Sequence, residues 1–457
     1  MSKNSIISYG MAKDYLARLS EDFAIIYNPQ NVFPPYEIIP IAHKINSKRN
    51  HIAAFVTDMD GTTTTTEELC LYSLEYMIRV MSGKFTVVEW HGLDKTIDYP
   101  NIIGNSTTKH IEFLVNRYNN FFNKSFIEKA YIKAIVWQLI YGKDKTRKEE
   151  IINNIKLFKI ENIIDDSQFK ALGLKTDVKD YDTNDKLIYL MQNYSPCFDE
   201  KIFTHLVKLG IDIYYYKYHE ILNRIYNGES KHIAKDLFND ENKALIEPMP
   251  GIITFLALIK GKLKDYTDYF VNILIDDYKH KAGDPLFKFD ENIIKEILFK
   301  LSEYFEKNPA KIGIVTSSIF YEANIVLNEV FSEIRKKVQS FSIPIELKEL
   351  LLEFFDDYNK VYNTIVTASD SNEIRLKPHR DLYSIALQNL HVPKEEFINV
   401  IGVEDSESGT FAIRSAGVGC SVAVPFAQTS SHNFEAASII AKGGIPELIL
   451  TYKLLLL

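Results

Sequence analysis

The chain has 457 residues with 46% hydrophobic and 25% charged side chains, a balance that predicts two or three folded domains and excludes a largely disordered chain. Its 53 Lys and Arg face 61 Asp and Glu, and the net charge of −8 argues against a general nucleic-acid binder, because neutralising phosphates needs a basic face. Cys70, Cys197 and Cys420 are too few and too scattered for a disulfide framework or a thiolate zinc site, which points to a reducing compartment.

Residues 1–50 read as an N-terminal extension. Lys3, Lys13, Asp14 and Arg18 interrupt any signal-peptide core, Ala12–Phe23 predicts a short amphipathic helix, and Pro34-Pro35 a turn. No apolar stretch reaches the ~20 residues that span a bilayer, so a cytoplasmic protein with no membrane partner is expected. Ile52–Thr57 is a short apolar run ending at Asp58-Met59-Asp60-Gly61-Thr62, the pattern of a buried parallel strand feeding a loop. From Glu68 to Ile246 helical periodicity takes over, as in Leu71–Met81, Ile111–Phe122 and Phe126–Tyr141, and predicts an inserted, mainly helical domain over 68–246. In it, Tyr214, Tyr215, Tyr216 and Tyr218 read as packing residues straddling two faces of a helix. The prolines of Glu247-Pro248-Met249-Pro250-Gly251 mark the return, followed by a helix at Ile252–Ile259 and a helical insertion over about 262–307.

Four further strands are expected at Ile312–Val315, Thr364–Thr367, Ile398–Val403 and Ser421–Val424. Amphipathic helices lie between them at Tyr321–Lys337, Asp381–Leu390 and Gly409–Ala416. Strands alternating with helices give an α/β fold with a parallel sheet covered on both faces. The apolar tail Leu448–Leu457 is expected to join the core.

In such a sheet a ligand sits beyond the carboxyl ends of the strands. The polar residues that follow the apolar runs are Asp58 and Asp60, Thr316 and Ser317, Lys377, and Glu404 and Asp405. Carboxylates gathered there would repel one another unless a cation joins them, and an all-oxygen ligand set without His or Cys suits magnesium rather than zinc. The set suits phosphoryl transfer. One carboxylate can attack phosphorus, and another two residues away, projecting to the same side of an extended segment, can move the proton of the leaving oxygen.

These motifs resemble those of the haloacid dehalogenase superfamily of phosphohydrolases, in that family's order. Asp58-Met59-Asp60-Gly61-Thr62 is similar to DxDGT, and Ile314-Val315-Thr316-Ser317-Ser318 to the strand ending in a phosphate-binding hydroxyl. Lys377-Pro378-His379-Arg380-Asp381-Leu382-Tyr383 looks like the KPxPDxY run of the branch that includes beta-phosphoglucomutase. Gly402-Val403-Glu404-Asp405-Ser406 is similar to the acidic fourth motif, and Gly104-Asn105-Ser106-Thr107 supports the match inside the insertion. The resemblance implies a Rossmann-like core over 51–67 and 247–457, with residues 68–246 as a cap. It implies Asp58 as nucleophile, Asp60 as general acid/base, and Thr316, Ser317 and Lys377 as phosphate ligands. Magnesium would be held by Asp58, Asp60 through its backbone carbonyl, and Asp405, with Glu404 acting through a water or from a second shell. Thr63, Thr65 and Arg380 depart from the pattern without removing a catalytic group.

The expected activity is a magnesium-dependent phosphatase working on a small phosphorylated metabolite through an aspartyl-phosphate. A phosphomutase is the alternative, although its branch places a histidine early in the first cap helix and Glu67–Met81 has none. A non-catalytic scaffold that retains the pocket is a third reading, disfavoured by the intact acidic and lysine set.

Overall fold

The described residues are 6–28, 32–104, 106–174, 181–282 and 290–456 of a computed structural model. Among them lie eight strands: β1 (Asp22–Tyr27), β2 (Tyr36–Ile41), β3 (Ala54–Asp58), β4 (Lys311–Val315), β5 (Thr364–Val366), β6 (Val400–Glu404), β7 (Cys420–Ala423) and β8 (Ile439–Ile440). Every residue of β3 and of β6 is buried, which requires hydrogen-bonded neighbours on both edges and helices on both faces. The six strands from β3 to β8 form one sheet in the order β5-β4-β3-β6-β7-β8, all parallel. The architecture is therefore α/β with a Rossmann-like core. From β3 the chain first builds outward through β4 and β5, then returns to the other side for β6, β7 and β8. The strand order thus reverses beside β3, and a crevice opens at its carboxyl end.

The chain divides into two compact units, Met1–Thr65 with Ile246–Leu457, and Thr66–Leu245. The first holds the sheet. The second is helical and is organised around Phe203–Tyr226, a long helix packed by Glu67–Ser82, Thr107–Tyr118 and Lys124–Tyr141. Its interior is aromatic: Tyr214, Tyr216 and Tyr218 are buried, and Trp137 and Tyr131 are among the largest wholly buried side chains. Among the described residues around 262–307, Phe270–Ala282 and Glu291–Lys307 are helices. No helix among the described residues is long and apolar enough to cross a membrane.

Several boundaries differ from the sequence expectation for local reasons. The N-terminal helix runs over Tyr9–Leu19 and not to Phe23. Ser20 is extended and donates its hydroxyl to the Ile41 carbonyl at 2.7 Å, which hands Phe23 to β1 in an antiparallel hairpin with β2. Strand β3 begins and ends later than Ile52–Thr57, and β6 later than Ile398–Val403, because Lys394–Asn399 coils as a 3-10 turn. The short β8 was not foreseen, since two residues carry no period. Asn105 lies outside the described residues, and Thr107 is the first residue of its helix. In the tail, Leu448, Ile449, Leu450 and Leu454 are buried.

Candidate active site

Register fixes which side chains share the crevice. Asp58, the last residue of β3, pairs with Val315 of β4, and Thr57 pairs with Val403 of β6. Asp58, Thr316, Glu404 and Asp405 therefore arrive at the same sheet end from three adjacent strands, and all four are buried. Lys377 reaches them from the loop after β5. Leu376, buried in the core, anchors that loop just before the lysine.

Lys377 is the hub. Its ammonium donates to Asp58 Oδ1, to Glu404 Oε1 at 2.7 Å and to the Val315 carbonyl at 3.2 Å, so all three N–H groups are used. Burial opposes its charge, but Asp58 and Glu404 more than offset that and hold the lysine above its ordinary range. Burial raises Asp58 well above the usual carboxylate value. Glu404, Asp405 and Asp60 push the same way, and Lys377 opposes them.

Glu404 is saturated by protein donors. Oε1 accepts from Lys377 and from Tyr383 Oη at 3.2 Å, while Oε2 accepts from Ser406 N at 3.0 Å and Ser406 Oγ at 2.8 Å. Ser406 also caps the helix Glu407–Ser415 by accepting from Gly409 N. Gly409 is required there: a Cβ would stand 1.7 Å from Glu404 Oε1. The helix can approach the acid only because that position has no side chain.

Asp405 accepts from Thr62 Oγ1 at 3.1 Å. Asp60 accepts from Thr316 Oγ1 at 2.9 Å and Ser318 Oγ at 3.3 Å, which places its carboxylate on the β4 side. Gly61 turns the loop with φ 77°, a conformation that suits glycine, and its N–H donates to the Thr64 carbonyl at 2.8 Å. Ser317 stands half-buried between Thr316 and Ser318.

All the residues singled out from the sequence thus gather at one end of the sheet. Tyr383, Ser406, Thr62 and Ser318 were not singled out, although each orients one that was. Carboxylate oxygens of Asp58, Glu404 and Asp405 all lie within 4.8 Å of one another. Three acids so close, with Lys377 the cation among them, leave surplus negative charge that a hard divalent ion fits.

No model of a known protein family matches the chain, and no curated protein does. Among solved structures it is similar to CbbY from Rhodobacter sphaeroides in complex with phosphate, at 12% identity and a TM-score of 0.39 over 87% of this chain and 96% of that one. It is also similar to a hydrolase from Pseudomonas syringae, at 12% identity and a TM-score of 0.34 over 87% and 96%. A third is a haloacid dehalogenase superfamily hydrolase from Geobacter sulfurreducens, at 12% identity and a TM-score of 0.31 over 89% and 100%. The chemistry is argued from the residues themselves.

Proposed function

We propose that the protein is a magnesium-dependent phosphohydrolase that cleaves a small phosphorylated metabolite through an aspartyl-phosphate. The observation that carries the reading is Lys377, buried and shared between Asp58 and Glu404, with Asp405 alongside. In this reading an Asp58 carboxylate oxygen attacks phosphorus. The O–P bond to Asp58 forms as the bond to the substrate oxygen breaks, and Asp60 gives that oxygen its proton. Water then attacks the same phosphorus, returning a proton to Asp60 and releasing the Asp58 carboxylate with inorganic phosphate.

Thr316, Ser317 and Lys377 are assigned to the non-bridging oxygens, and Lys377 would trade its Asp58 contact for the phosphoryl group while Glu404 keeps it in place. Asp58, Asp405 and the Asp60 carbonyl would hold magnesium. Glu404 is assigned an outer role, since its oxygens already accept from Lys377, Tyr383 and Ser406. When bound, the ion would supply charge stabilisation to the phosphoryl oxygens. The helical unit Thr66–Leu245, inserted directly after the first motif, is assigned substrate selection as a cap. Cys70, Cys197 and Cys420 form no disulfide with one another, which suits a cytoplasmic setting.

The test is phosphate release from a panel of phosphate esters with and without magnesium. Native protein should turn over at least one ester only with magnesium, and Asp58→Asn should lose about three orders of magnitude or more. Equal turnover by native and variant protein would remove Asp58 as nucleophile and the reading with it.

A further inference from the structure

Lys377 stands on an irregular connection. β5 is a three-residue strand at the sheet edge, and the chain from 367 to 380 that follows it holds only the 3-10 turns Ala368–Asp370 and Glu373–Arg375. The sheet ladder does not reach this segment, so side chains have to hold Lys377 against Asp58 and Glu404.

Arg375 does so at the ends of the loop. Its guanidinium takes Asp381 in a two-point fork, Nε to Oδ2 at 3.0 Å and Nη2 to Oδ1 at 2.8 Å. Arg375 ends the second turn and Asp381 opens the helix Asp381–Asn389, so the fork closes the loop Leu376 to Arg380 with Lys377 inside it. A planar fork fixes orientation as well as distance, which a single ammonium does not. The remaining arm, Nη1, donates to Glu37 Oε2 at 3.4 Å, and Asn28 Nδ2 donates to the other Glu37 oxygen at 3.3 Å.

Glu37 lies in β2 and shares a hairpin face with Asp22 of β1. The register sets Asp22 opposite Ile41 and Ile26 opposite Glu37, so this face runs from one acid to the other across the buried Ala24, Ile26, Ile39 and Ile41. Asp22 accepts from Arg414 Nη2 at 2.7 Å. Arg414 is buried in the helix Glu407–Ser415. Its Nε donates to the Ala42 carbonyl at 2.8 Å, and the Ala42 N–H returns to the Arg414 carbonyl at 3.0 Å. Ser406, which donates twice to Glu404, caps that helix. The two acids of one hairpin face thus reach the two segments that meet at the Lys377–Glu404 contact, the lysine loop through Arg375 and the helix behind Glu404 through Arg414.

We propose that the N-terminal hairpin braces the lysine–acid hub, with Arg375 a positioning residue for Lys377 and Glu37 acting through Arg375. Its effect on turnover rests on the phosphohydrolase reading; its hold on Lys377 does not.

The experiment compares native protein with Arg375→Ala, Arg375→Lys, Glu37→Ala and the double Ala variant in two readouts. One is acetylation of Lys377 by acetic anhydride at fixed pH, read by mass spectrometry against the exposed Lys170 of the same molecule. The other is kcat and KM for an ester that native protein hydrolyses. Arg375→Ala should keep native circular dichroism and raise Lys377 acetylation relative to Lys170 about tenfold. Its kcat should fall about ten- to a hundredfold, with KM changed by less than about twofold. Arg375→Lys should recover part of both. Glu37→Ala should show effects of about threefold, the worth of an ion pair standing partly in solvent. The double variant should match Arg375→Ala, because one residue acts through the other. Native-rate acetylation of Lys377 in folded Arg375→Ala overturns the proposal. So does a double variant in which the two effects multiply, or loss of the fold in Arg375→Ala and Glu37→Ala alike. If native protein hydrolyses no ester, the phosphohydrolase reading falls, and the acetylation rates still decide the brace.

Discussion

Two buried ion groupings stand in the two units, and they resemble each other locally. In the sheet unit Lys377 is held by Asp58 and Glu404. In the helical unit Arg147 is held by Asp212, with Glu150 at its other nitrogen. Burial raises the carboxyl pKa of Asp58 and of Asp212 alike. A perturbed carboxylate therefore does not by itself mark a reactive site. What separates the groupings is charge balance and position. Asp212 is matched by Arg147 and capped by Asn154 Nδ2 at 2.9 Å, and the further acid, Glu150, stands half in solvent, so no buried charge is left over. The strand-end grouping carries Asp405 and Asp60 in addition, at the mouth of a parallel sheet. Balance makes a strut, and imbalance makes a site.

The comparison can be broken from either side. The largest effect on folding is expected at the strut. Asp212→Ala leaves Arg147 buried without its main partner and should cost about 3–5 kcal/mol in denaturant unfolding, while metal binding by the folded fraction stays unchanged. A smaller structural and larger functional effect is expected from Gly409→Ala. The added methyl must displace the Glu404 carboxylate, which anchors Lys377. Stability should fall by about 1–3 kcal/mol, and ester turnover per folded molecule by more than that loss alone would give.

The smallest effect sharpens the electrostatics. Lys260 is half-buried near Lys262, and burial first, then that neighbour, pushes its pKa down to about 8 from 10.5. Below about pH 8 both folded and unfolded chains carry the proton, and the folded one bears the strain. Between pH 8 and 10.5 the unfolded chain alone stays charged and the strain fades. Unfolding curves should show Lys260→Met gaining most over native protein below pH 8, by about 0.5–1 kcal/mol after screening, with the gap closing by pH 10.5.

Much of the sheet unit was legible because its strands are short apolar runs that each stop at a polar group. That is how Asp58, Thr316 and Glu404-Asp405 stand out before any fold is known. Lys377 was counted with them although it follows no strand directly, and the resemblance of its Lys-Pro run supports it. The residues that orient these groups left no such mark. Thr62 and Asp405 are 343 positions apart, and nothing in the run of threonines shows that Thr63 and Thr64 each donate to the Met59 carbonyl. Tyr383 closes the Lys-Pro run in the sequence without any assigned role, and only the folded chain brings its hydroxyl to Glu404. The Arg147–Asp212 strut joins residues 65 apart on separate helices, and helical periodicity says nothing of such pairs. In the N-terminal hairpin the strands were masked by the helical pattern running into them from Ala12.

The measurement closest to the central claim is a calorimetric magnesium titration of native protein, Asp405→Asn and Asp212→Asn. If surplus charge at the strand ends makes the site, native protein and Asp212→Asn bind one ion each and Asp405→Asn loses the binding. Failure of native protein to bind magnesium, or equal binding by Asp405→Asn, would contradict the account.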